Sequence, residues 1–148
     1  MGNRYIVAQL AVTPTAGNDV FSLISAANRR LRVLQVVAHG RGATSAAQGF
    51  TIGRAAAGTT PGGNITPGKA DHTEEPNAVF TAPTTYAAQP TLDANQIPIG
   101  FNALGGPIVW NPPKGTLLEA RNGEVISLRA ASGITWQACS VAALVEED

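Results

Sequence analysis

The side chains of this sequence that could do chemistry are few and scattered. Its histidines are His39 and His72, and its single cysteine is Cys139. His72 stands in Lys69-Ala70-Asp71-His72-Thr73-Glu74-Glu75, the one dense polar cluster, whose carboxylates and imidazole are ligand types for a cation. Neighbours in one loop rarely converge on an ion without ligands from elsewhere, so a solvated loop is the expected role. His39 closes an apolar run beside Gly40 with no second histidine near it, whereas a metal enzyme on a jelly roll would need several histidines and a carboxylate on adjacent strands. No Gly-x-Ser-x-Gly elbow is present for a serine nucleophile. Cys139 falls within an apolar run, away from the helix N-termini where thiolates are activated, and reads as a small buried side chain; a pairing with either histidine stays open on sequence alone. Gly58–Gly63 lacks the Gly-Lys-Ser/Thr ending of a phosphate loop, and no helix is expected after it. Glu74/Glu75 and Glu146/Glu147 are adjacent pairs in a loop and a tail, where solvated charge is the expected role. No catalytic, metal or cofactor residue is assigned, and the chain is expected not to be an enzyme.

Binding offers more. Trp110 precedes Asn111-Pro112-Pro113 where a strand meets a turn, and an exposed aromatic there would stack on a sugar or anchor a partner. A core or edge-capping aromatic is the simpler alternative. Trp136, with Ile134 and Ala138 on its own face, is expected in the core. Arg29, Arg30 and Arg32 form a local basic cluster, either a solvated face or a binding patch. The candidate partner or subunit interface is therefore Arg29, Arg30, Trp110, Pro112 and Pro113.

Composition narrows the partners. The 148 residues suit one domain spanning 1–148, and 44% hydrophobic content is ordinary for a globular chain. Only 14% are charged, against the usual quarter, and ten acidic residues balance ten basic ones. That leaves no electrostatic footprint for nucleic acid or an anionic membrane. Near-zero net charge does little to keep copies apart, so self-association or docking on a larger assembly becomes the expectation. One cysteine excludes a disulfide-stapled domain, and the N-terminal residues lack a charged-then-apolar export signal.

The elements that must position these residues read as strands and turns. Tyr5–Val12, Val20–Ser25, Leu31–Ala38, Gln48–Arg54, Ile97–Phe101, Pro107–Trp110, Leu117–Ala120, Glu124–Ala130 and Ile134–Leu144 carry β-branched residues or alternation, with a short strand at Asn77–Ala82. Leu31–Ala38 is apolar on both faces, as a central strand covered on each side would be; a short helix through Ser25–Arg32 is the alternative there. Asn122-Gly123, flanked by apolar runs, is a strong hairpin signal. Ile126 and Leu128 are expected to point inward, opposite Val125, Ser127 and Arg129. Gly53–Thr91 is crowded with Gly, Pro, Thr, Ala and Asn and predicts a long irregular connection within the domain. Its prolines keep it semi-extended, as an arm or crossover over its own sheet or a neighbouring subunit. The fold class is all-β: an antiparallel β-sandwich, with a jelly roll preferred, of about eight strands.

From Phe50 onward the layout resembles a known group. Phe50-Thr-Ile-Gly-Arg54 leads into the Gly/Thr/Pro tract Gly58–Lys69 and the Ala/Pro/Thr-rich section Ala78–Pro90. Phe101-Asn-Ala-Leu-Gly-Gly106, Ile108-Val-Trp110, Pro112-Pro-Lys-Gly115, Asn122-Gly-Glu-Val-Ile126 and a closing strand follow. The arrangement resembles head decoration (cement) proteins of tailed bacteriophages of jelly-roll type. The resemblance implies a homotrimer on the outer capsid surface that bridges copies of the major capsid protein and stabilises the head. It places the protein in the virion after synthesis in the host cytoplasm. A head-fibre, neck or tail component is the alternative within the structural class, and a carbohydrate- or receptor-binding module using Trp110 is the alternative outside it.

Overall fold

Apolar residues at alternate positions fix which side of each strand turns inward, and two such faces close on one core. The computed structural model describes residues 2–71, 76–113 and 118–148. Its strands are β1 (Asn3–Val12), β2 (Asp19–Ile24), β3 (Arg30–Gly40), β4 (Ala47–Ala55), β5 (Pro61–Ile65), β6 (Gly68–Lys69), β7 (Ala82–Tyr86), β8 (Ile97–Asn102), β9 (Ile108–Trp110), β10 (Glu119–Arg121), β11 (Val125–Ala130) and β12 (Cys139–Glu147). No helix occurs among the described residues, so the alternative over Ser25–Arg32 gives way to a turn and the start of β3.

The strands form an antiparallel β-sandwich. Sheet A runs β10-β3-β12-β1-β6, with β9 beside β10 along the same edge of β3. Sheet B runs β2-β11-β4-β8, and the small β5-β7 sheet joins it through a bridge between Ile24 and Thr81. Tyr5, Val7, Leu31, Val33, Val36, Val141, Ala143 and Val145 of sheet A face Phe21, Leu23, Phe50, Ile52, Ile126 and Leu128 of sheet B in one contiguous core. Ile126 and Leu128 point inward as expected. At one end Phe50 stacks on Trp136 at 4.9 Å and on Phe101 at 5.4 Å between ring centres. The Trp136 indole N–H donates to Ala131 O at 3.0 Å. Trp136 is core, but it reaches the core from a loop, because β12 begins only at Cys139.

Two local expectations fail instructively. Asn122 and Gly123 both adopt positive φ, 51° and 87°, and Glu124 N–H closes the turn on Arg121 O at 3.0 Å. The tight turn is as expected, yet no hairpin results. β10 pairs with β3 in sheet A and β11 with β2 and β4 in sheet B, so the turn carries the chain from one sheet to the other. Turn chemistry sets the reversal, whereas partner choice is a matter of the core. The Gly53–Thr91 stretch is also more regular than expected. The short strand forms at Ala82–Tyr86 and not at Asn77–Ala82, and it pairs with Pro61–Ile65 within the Gly/Thr/Pro tract. Gly68–Lys69 adds to the β1 edge.

The aromatic stack anchors the end where β4 and β8 meet the β11–β12 connection. Phe50→Ala should lower unfolding free energy by about 3–5 kcal/mol, because the cavity cannot be refilled by two stacked rings. Urea denaturation followed by tryptophan fluorescence checks it.

Candidate functional site

The residues singled out from sequence occupy two separate places along one edge. Arg29 is exposed in the β2–β3 turn, and Arg30 begins β3, 3.7 Å from Glu119. With Arg121, Asn28, Asn122 and Asp148 they border an open basin of about 500 Å³. Trp110 pairs across β9 with Val36, six residues further along β3, which is roughly 20 Å in extended chain. Its ring is half-buried and packs against the core, Pro112 is half-buried and Pro113 exposed. The structure therefore does not assemble Arg29, Arg30 and Trp110 into one patch. His39 lies exposed on β3 opposite Ser140. His72, Glu74 and Glu75 lie outside the described residues, and no group of three potential metal ligands converges among the described ones.

Sequence reasoning missed two features. The first is a buried polar clip on the outer side of sheet B. A bulge in β2 sets Asp19, and not Val20, opposite Arg129 on β11. The Asp19 carboxylate is fully enclosed and accepts hydrogen bonds from Arg129 Nε at 2.7 Å, Ser127 Oγ at 2.6 Å and Ser22 Oγ at 3.3 Å. Ser22 Oγ lies 2.5 Å from the Tyr86 hydroxyl, Arg129 donates to Pro90 O at 2.7 Å, and Asp19 N–H donates to Gln89 Oε1 at 2.8 Å. Burial raises the Tyr86 pKa, with the Ser22 hydrogen bond opposing, so the phenol stays neutral. The clip fastens residues 86–90 across sheet B. A cleft of about 310 Å³ opens beside it, lined by Gln9, Thr13, Asn18, Asp19, Tyr86 and Gln89. Its buried ionisable groups are hydrogen-bonded to one another.

The rest of the Gly53–Thr91 stretch completes the cover. A Cβ on Gly53 would stand 2.8 Å from Leu92 Cδ1, and one on Gly58 would stand 3.1 Å from Ile24 Cδ1. Val125 and Ser127 on the outer face of β11 are as buried as Ile126 and Leu128 on its inner face. The crossover thus lies over its own sheet.

The second feature is the outer face of sheet A, which no described segment covers in the same way. Arg4, Glu146, Arg32 and Glu119 are register neighbours across β1, β12, β3 and β10. They form a ladder of alternating sign, with N···O distances of 3.6, 3.0 and 2.9 Å. Further along the strands lie Ile6 and Leu144, then Leu34 and Gln35 at a bulge opposite Leu144, then a row of Ala8, Ala142, Val37 and Val109. Ile6 and Val109 are 46% and 52% exposed, and Leu34, Val37, Ala142 and Leu144 half-buried. β3 was expected to be covered on both faces; one face has sheet B and the other is open. The signal for this face was present in the apolar residues at successive positions of β1, β3 and β12, though nothing in the sequence says which strands are neighbours.

Ionisation follows from these contacts. The hydrogen bond to Glu119 is the main cause raising the Arg32 pKa, so the guanidinium stays charged. Burial acts to raise the Glu119 pKa, but hydrogen bonds from Arg121 and Arg32 and the charge of Arg30 outweigh it, and the net direction is down from 4.5. Cys139 is buried and its thiol is pushed up to about 11 by desolvation, so it is protonated at neutral pH. The chain matches no protein-family model, no curated protein and no solved structure.

Two measurements check these assignments. Arg129→Ala leaves Asp19 buried without its counter-ion and should cost about 3–5 kcal/mol, with a larger increase in proteolysis within residues 86–96 than within the β8–β9 loop, residues 103–107. Glu119 contributes stability that is fully present above its unfolded pKa and is lost as pH falls through the lower folded value. Thermal melts should therefore show Tm falling below about pH 4.5, with a shallower acid limb in Glu119→Gln.

Proposed function

We propose that this chain is a non-enzymatic structural protein of a virion, a capsid decoration protein that seats on the outer surface of the major capsid protein and stabilises the head. The observation that carries the reading is where the polar chemistry goes. The enclosed carboxylate of Asp19 is consumed in holding the crossover on sheet B, while sheet A presents an open face of apolar rows beside a charge ladder whose signs balance. A protein so arranged acts through contact area, and its layout from Phe50 onward resembles cement proteins. Many modest contacts repeated on a symmetric shell multiply through avidity, so no single contact need be strong. A head-fibre, neck or tail component would use the same domain. A sugar-binding module would stack its ligand on Trp110, and the packing of that ring against the core counts against it.

The test is co-sedimentation of the purified protein with shells assembled from the major capsid protein of the virus whose genome carries the gene. Saturable binding to expanded shells, with a higher temperature of shell rupture, is the expected outcome. No binding to expanded or unexpanded shells refutes the reading.

A further inference from the structure

The open face of sheet A combines two patterns that one symmetry operation satisfies together. Face-to-face packing of two identical sheets about a twofold requires an axis lying in the plane between them. An axis along the strands, running between β12 and β3, reverses the order of the strands in the second copy. β1 then faces β9 and β10 of the partner, and β12 faces β3. Under that operation the ladder Arg4–Glu146–Arg32–Glu119 meets its own reverse, so every position faces the opposite sign. The row Ala8–Ala142–Val37–Val109 also meets its reverse, and each alanine faces a valine. A twofold across the strands through the ladder would instead set each charge against its like.

We infer that the outer face of sheet A docks on the same face of a second copy of this chain, about a twofold parallel to the strands. The contact is isologous, and small-on-large matching fills the gap between sheets that pack about 10 Å apart. The apolar rows supply the attraction. Each ladder charge keeps its partner within its own subunit, so the ladder sets register and orientation more than affinity. Four strands and about eight residues of depth give roughly 500 Å² of projected face, at the low end for specific interfaces, so the pair should be reversible. Near-zero net charge removes a barrier to it. This twofold takes the place of the homotrimer implied by the resemblance, because a cyclic trimer needs a heterologous contact and this face is self-complementary. It goes beyond capsid decoration and is decided on the free protein, whether or not shells are bound.

Sedimentation velocity over a concentration series should show a reversible monomer–dimer equilibrium. Ile6→Asp and Val109→Asp, both at exposed positions, should weaken it at least tenfold with Tm unchanged under monomeric conditions. Geometry is read with a short bis-maleimide: an Ala8→Cys chain mixed with a Val109→Cys chain should give heterodimeric crosslinks in excess of either homodimer. Native Cys139 is buried and protonated and does not compete. A monomer at every concentration, a trimer, a dimer indifferent to both aspartates, or homodimeric crosslinks in excess would each overturn the inference.

Discussion

The Asp19–Arg129 pair decides how the two sheets differ. A carboxylate with no exposed surface is tolerated only where donors fill its lone pairs, and here a guanidinium and two hydroxyls do so. The pair belongs to the outer face of sheet B, so its burial requires something above it. The 86–90 segment supplies that cover and is held by the same groups, through Pro90 O on Arg129, Tyr86 on Ser22 and Gln89 on the Asp19 amide. Cover and clip are thus mutually dependent: without the strap the carboxylate and serines would meet water, and without the clip the strap would lose the hydrogen bonds of Tyr86, Gln89 and Pro90 to sheet B. β11, at the centre of this arrangement, is buried on both faces.

The same logic explains the connection from Gly53 to Thr91. Its glycines and prolines pack a thin layer where bulkier residues would not fit, as the close approach of Leu92 to Gly53 shows. It also bridges the open side of the sandwich, adding Gly68–Lys69 to β1 of sheet A and the β5-β7 pair to β2 of sheet B. A stretch with little apolar periodicity is therefore structural through backbone pairing and close packing.

Much of the fold was legible because strands advertise themselves by local pattern. Ile126 and Leu128 against Val125 and Ser127, the apolar run Leu31–Ala38 and the Asn122-Gly123 turn all lie where the sequence puts them. What was not legible is whatever depends on residues far apart in the chain. The Asp19–Arg129 pair spans 110 positions and rests on a bulge that no local signal announces. The ladder joins four strands drawn from both ends of the sequence, and its alternation of sign exists only once β1, β12, β3 and β10 are set side by side. Trp110 illustrates the converse. Its position beside a Pro-Pro turn left an exposed contact role open beside the simpler core or edge-capping role, and pairing with Val36 turns the ring toward the core.

Two-sided apolar strands need two covers, and this chain provides them unequally. Sheet B receives its second cover from the same polypeptide, at an effective concentration that never falls, and the cover is locked by a buried ion pair. Sheet A keeps its outer face half-exposed, with Ile6 and Val109 in contact with water. No described segment covers this face, and cover supplied by another chain would depend on how many copies are held near one another. On a shell that holds copies at fixed spacing, as the proposed decoration role implies, contacts too weak to matter in dilute solution would become occupied. Sheet B is closed on both faces within the chain, whereas closure of sheet A by a second copy, as inferred above, would depend on local concentration. That division between a sealed sheet and an available one is the asymmetry on which the proposed contact role rests.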